Sequence, residues 1–122
     1  MTTEITLFDR LGGESTLLPV ITSFYDKTLT DDLLAYFFAP LDLSQQARML
    51  TEFLTVALGG PGRYSGRALR IAHAGLPGLT DEHFDRVVTL LGAALREAGV
   101  DEVDIGAVAA AAETLRADVL NR

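Results

Sequence analysis

Phe53-Leu54-Thr55-Val56-Ala57-Leu58-Gly59-Gly60-Pro61 is the stretch on which the fold turns. Its first six residues close a helix that begins near Ser44, a residue able to cap it. Gln46, Met49, Leu50, Phe53 and Ala57 recur at helical spacing and so share one face. Gly59-Gly60-Pro61 must end that helix, because proline disfavours helix in the residue before it and glycine supplies the exit geometry. Past the break come a loop with Tyr64 and a short segment from Arg67 to Ala74, where Leu69 and His73 stand four apart. Gly75, Pro77 and Gly78 close that segment.

The same punctuation organises the rest of the chain. A short opening segment around Leu7 and Phe8 stops at Gly12-Gly13. A helix from Ser15 to about Leu29 carries Leu18, Ile21 and Tyr25 on one stripe, with Leu17 and Phe24 beside it. Thr30-Asp31-Asp32 supplies cap-type residues for an apolar turn from Leu33 to Phe38, which Pro40 ends. A helix from Thr80, acidic in its first turn, presents Phe84, Val87, Val88, Leu91 and Leu95 until Gly99 stops it. The last runs from about Glu102 to Leu120 with Ile105, Val108, Ala112, Leu115 and Val119 inward. No period-two strand or repeat is visible, so the expectation is all-α, one domain over residues 1–122.

Composition narrows the function. With 48% apolar residues the chain is expected to be globular, and a formal net charge of −7 with scattered basic residues argues against nucleic acid. The absence of cysteine removes disulfides, thiolate catalysis and iron–sulfur ligation, and fits a reducing compartment. No leader and no apolar run of about 20 residues is present, so a cytoplasmic protein without a membrane partner is expected.

Several motifs fail. Gly60-Pro61-Gly62-Arg63-Tyr64-Ser65 puts serine where a dinucleotide fingerprint needs glycine, and no strand precedes it. Phosphate-loop and Glu-x-x-His patterns do not occur. What remains is three polar residues on apolar faces: Tyr25, Gln46 and His73. Each also has an ordinary reading, as a core tyrosine bonded to a carbonyl, a solvated or capping glutamine, and a satisfied core histidine. His83, beside Asp81 and Glu82, reads as solvated. A lone imidazole cannot build a zinc site, which needs three or four protein ligands. It can be the single protein ligand of an iron whose equatorial positions a porphyrin fills.

The chain resembles the group I truncated haemoglobins. The resemblance is carried by Leu7-Phe8-Asp9-Arg10-Leu11-Gly12-Gly13, Ser23-Phe24-Tyr25-Asp26-Lys27, Tyr36-Phe37-Phe38 and the stretch from Phe53 to Pro61. It continues through Tyr64-Ser65-Gly66-Arg67, Ala72-His73, His83-Phe84-Asp85 and Asp118-Val119-Leu120. The matches run in order over nearly the whole chain. The resemblance implies a truncated globin fold, a two-over-two helical sandwich holding haem b. It makes His73 the proximal iron ligand and Tyr25 the distal tyrosine, with Gln46 a second distal hydrogen-bonding residue. Phe38 would pack on the haem, Phe24, Phe53, Leu54, Tyr64 and Leu69 would line the pocket, and Arg67 or Arg70 would reach a propionate. Leu50 occupies a distal position where many relatives carry glutamine. Met49 stands where some relatives have histidine or lysine, and packing or solvent exposure is the expectation for it rather than ligation.

The implied function is reversible binding of dioxygen, nitric oxide or carbon monoxide by a monomer. A Tyr25 hydroxyl donating to a charged ligand oxygen would slow its release, and Gln46 would support that hydroxyl or donate itself. Three alternatives stay open. One is a nitric oxide dioxygenase served by an external reductase. Another is a six-coordinate electron-transfer or redox-sensing haem using Met49 or Tyr25. The last is a haem-free helical interaction domain.

Overall fold

Helix α1, Leu7–Leu11, opens the computed structural model, which describes residues 6–40, 42–60 and 78–120. The Thr6 hydroxyl oxygen caps α1 by accepting from the Asp9 N–H at 3.1 Å. Gly12 ends it at φ 105°, a left-handed geometry that only glycine adopts cheaply. The remaining helices are α2 (Glu14–Leu29), α3 (Ala35–Phe38), α4 (Leu43–Ala57), α5 (Asp81–Glu97), α6 (Glu102–Glu113) and α7 (Arg116–Leu120). Among the described residues there is no strand, and the fold is all-α.

α2 is the central element and packs against both α4 and α5. Its buried residues, Leu17, Val20, Ile21, Phe24, Tyr25 and Thr28, fall at spacings of three and four and form one face. The sequence placed Leu18 on that stripe, but Leu18 is 48% exposed. Leu17 and Leu18 are both in helical register with Ile21, and contact with two neighbouring helices selects Leu17. α5 contributes Phe84, Leu91, Ala94 and Leu95 to the core, with Val87 and Leu90 half-buried against it. α6 adds Ile105 and Val108. Ion pairs brace the exposed seams, Lys27 to Glu97 at 2.7 Å between α2 and α5, and Arg10 to Asp104 at 2.6 Å between α1 and α6.

Two boundaries differ from those expected. Asp42, not Ser44, caps α4, its Oδ1 accepting from the Ser44 and Gln45 N–H groups at 3.1 and 3.3 Å. Both residue types suit a cap, and the extended backbone of Asp42 decides between them. The single helix expected to run to Leu120 is broken after Glu113. There the Thr114 hydroxyl donates to the Ala111 carbonyl at 2.6 Å, and Leu115 N–H reaches only three residues back, to Ala112, at 2.9 Å. Side-chain competition of this kind tightens the final turn and ends it. Arg116 then bridges Asp81, Asp85 and Glu113 over the face of Phe84, turning α7 onto the start of α5.

The glycine pair after α4 behaves as its sequence requires. Gly59 has φ 91°. Gly60 lies so close to Phe8 and Thr55 that an added Cβ would stand 2.8 Å from the Thr55 carbonyl oxygen. The Phe8 N–H donates to the Leu58 carbonyl at 2.9 Å, so α1 is tied to the end of α4.

A candidate distal pocket wall on α2, α3 and α4

α2 delivers Phe24 and Tyr25, α3 delivers Phe38, and α4 delivers Gln46, Leu50 and Leu54. The three aromatic rings meet edge to face: Phe24 to Tyr25 at 5.2 Å, Tyr25 to Phe38 at 5.8 Å and Phe24 to Phe38 at 6.5 Å between centroids. Such tilted pairs suit the ring quadrupoles. Leu54 is buried in the same cluster, and Leu50 and Phe38 are half-buried against it.

Tyr25 is only 6% exposed, and its hydroxyl donates to the main-chain carbonyl of Gln46 at 3.1 Å. Burial pushes that phenol up to about 12, since the ionised form would lose its hydration. The group is therefore a neutral donor throughout the physiological range. The sequence left open a Gln46 side chain supporting the hydroxyl and a core tyrosine bonded to a carbonyl; the structure has the second, with the main chain of Gln46 as acceptor. Gln46 itself is half-buried. Met49 is 44% exposed, in line with the expectation of packing or solvent exposure for it, so the face it shares by spacing with Gln46 and Leu50 is not buried across its whole width.

Sequence reasoning missed Thr28, which is fully buried with its hydroxyl on the Tyr25 carbonyl at 2.8 Å. Its position, three residues after Tyr25 and seven after Ile21, was the available signal. His83 stays partly exposed, in line with its solvated reading, but has a role that reading left out. It is half-buried, its ring meets Phe37 edge-on at 5.1 Å, and its Nδ1 accepts the Thr80 N–H at 3.1 Å. That bond places the proton of the neutral ring on Nε2 and caps α5 from its third position, a role usually taken by Glu or Gln. The side chain of Phe53, on α4, and residues Tyr64, Arg67, Leu69, Arg70 and His73 lie outside the described residues.

Surface clefts occur away from this wall. One of about 410 Å³ lies among Thr30, Asp31, Asp32, Leu33, Glu82 and Arg86, and its lining is mainly polar. Another, about 190 Å³, lies between Arg10 and Asp104. Neither is lined by Tyr25 or Phe38, and an apolar wall with one converging hydroxyl is the better match to a ligand site.

The bacterial-like globin family model matches residues 6–121. A group 1 truncated haemoglobin of Synechocystis, GlbN, is 42% identical over 122 aligned positions, covering 96% of this chain and 98% of the relative. The chain belongs to the group 1 truncated haemoglobins. Solved structures agree. The 2/2 haemoglobin of Synechococcus, solved in the cyanomet state with covalently attached haem, superimposes with a TM-score of 0.89 at 36% identity, covering 96% of this chain and 99% of that one. The Fe(III) truncated haemoglobin of Tetrahymena pyriformis gives 0.86 at 37% identity, covering 93% and 97%. The all-α truncated globin fold is thereby established, α2 and its neighbours forming part of a two-over-two sandwich. No described helix is long and apolar enough to cross a membrane.

Proposed function

We propose that this truncated haemoglobin binds haem b and reversibly takes dioxygen, nitric oxide or carbon monoxide on the side of Tyr25. The carrying observation is the buried, neutral Tyr25 hydroxyl set in an aromatic wall, in a chain of globin family. The residues present fit the group. Phe38 and Leu50, half-buried against the cluster that holds Phe24 and Leu54, offer an apolar surface for a porphyrin, and the Tyr25 hydroxyl supplies one neutral donor beside it. When bound, haem supplies an iron with a position open to a diatomic ligand.

His73 is the axial ligand in this reading, supported by its place after the second glycine pair. Tyr25 carries a neutral hydroxyl, bonded to the Gln46 carbonyl, whose proton an electron-rich ligand would draw to itself, and Phe38 and Leu54 exclude water, strengthening that dipole. Gln46 contributes from the distal side, Leu50 fills space without donating, and Arg67 or Arg70 pairs with propionate. The exposure of Met49 supports an open position rather than a methionine-closed one. The physiological setting is a monomer in the cytoplasm, with re-reduction by an external partner where turnover with nitric oxide occurs.

The absorption spectrum of the purified protein tests this. A strong Soret band that disappears or shifts markedly in His73→Ala is expected. A colourless protein that stays colourless after haem addition would overturn the proposal in favour of a haem-free helical domain.

A further inference from the structure

Tyr25 has one hydroxyl proton, and in this structure that proton already has an acceptor. We propose that the main-chain carbonyl of Gln46 acts as a threshold on ligand selectivity: a ligand captures the Tyr25 proton only if it accepts more strongly than a buried peptide oxygen. The proposal rests on the haem reading above and adds a specificity device to it.

The geometry holds both partners in place. Thr28, buried, bonds the Tyr25 carbonyl at 2.8 Å and fixes the backbone from which the ring projects. Phe24 and Phe38 stand against the ring at 5.2 and 5.8 Å and restrict its swing. The acceptor is equally fixed. Gln46 lies in the first turn of α4, its N–H bonded to the carbonyl of Asp42 at 3.0 Å, and Asp42 caps the helix. The carbonyl therefore cannot retreat when a ligand arrives.

A ligand consequently gains only the difference between two hydrogen bonds, not the whole of one. Dioxygen gathers negative charge on binding, and a charged acceptor outcompetes a neutral carbonyl. Carbon monoxide is a weak acceptor and leaves the hydroxyl on Gln46. The device is blind to the identity of residue 46, because the oxygen belongs to the backbone. The glutamine amide adds to ligand binding separately.

An amide-to-ester replacement at the Gln46–Ala47 linkage tests this, since an ester carbonyl accepts hydrogen bonds more weakly. The probe is the ring Cζ resonance of 13C-labelled Tyr25, assigned by its loss in Tyr25→Phe and read on the protein as purified. The ester should move that resonance and slow carbon monoxide dissociation several-fold. Gln46→Ala, which keeps the carbonyl, and an ester at Arg48–Met49 should leave the resonance in place. Tyr25→Phe should speed dioxygen release several-fold and carbon monoxide release by less than about twofold. A resonance unmoved by the Gln46–Ala47 ester, or equal effects of Tyr25→Phe on both gases, would overturn the threshold. Both outcomes are separate from a failure of the haem reading, which appears as a missing Soret band while the tyrosine resonance remains readable.

Discussion

Asp31 and Arg86 join the end of α2 to α5 through an ion pair of 2.9 Å, while the other oxygen of the same carboxylate caps the next turn. That oxygen accepts from the Leu33 and Leu34 N–H groups at 2.9 and 3.2 Å. One side chain thus fixes both the direction of the chain after α2 and its distance from α5. α3, which follows at once, carries Phe38 to the Tyr25 ring.

Asp31→Ala removes both functions and is expected to cost about 2 kcal/mol in urea unfolding. Asp31→Asn keeps a capping oxygen and loses only the charge, so its cost should stay below about 1 kcal/mol and shrink with added salt. Equal losses for the two variants would show that the cap contributes nothing.

Gly60 and Gly99 separate crowding from backbone strain. Gly99 has φ 87° with open space around its Cβ position, so Gly99→Ala should cost only the left-handed penalty, about 1 kcal/mol. Gly60→Ala meets the Thr55 backbone oxygen and the Phe8 ring, and must push α1 from the end of α4. A loss of about 2–3 kcal/mol is expected by chemical denaturation. A smaller loss at residue 60 than at residue 99 would contradict the packing described.

Alkaline titration should reveal Tyr25. Its phenol is raised from 10.0 to about 12 in the folded chain, so folding favours the neutral form. The associated stability is complete below pH 10 and is lost as pH rises towards about 12. The loss should be of order 2 kcal/mol once ionisation is complete. Tyr25→Phe should remove this component from the pH profile, leaving that of the other tyrosines. Identical profiles for the two proteins would place the hydroxyl in water.

Phe38→Ala opens the aromatic triad without touching the hydroxyl bond. Half-buried, the ring should be worth about 2 kcal/mol of stability. If it also packs on haem, haem loss to a scavenger such as apomyoglobin should accelerate by at least several-fold. Loss of stability with unchanged haem retention would confine Phe38 to the core.

The helices were legible in the chain because amphipathic spacing and glycine breaks are local signals. α2, α4 and α5 end within a residue or two of where the pattern ends. Which of two adjacent apolar residues turns inward was not legible. Leu17 and Leu18 both satisfy the period, and Met49 satisfies it yet is exposed, because neighbouring helices and not the period make the choice. The break between α6 and α7 rests on a threonine turn and on carboxylates some thirty residues away, so a run of alanines concealed it. At the site, the inward aim of Tyr25 could be read from its stripe. Its acceptor could not, since a main-chain oxygen leaves no trace in residue identity. His83 is partly exposed, as its acidic neighbours suggest, but its value to the fold, an imidazole nitrogen facing the backbone, could not be read from them.

The attachments at Gly60 and His83 have a joint consequence. The chain between them, which includes His73, leaves from a junction wedged against Phe8 and rejoins at a helix start latched to Phe37. Both moorings belong to the same scaffold that holds Tyr25. Substitutions at Phe8, Phe37 or Thr80 therefore offer a means of shifting the anchored ends at Gly60 and His83 relative to the helices that hold Tyr25.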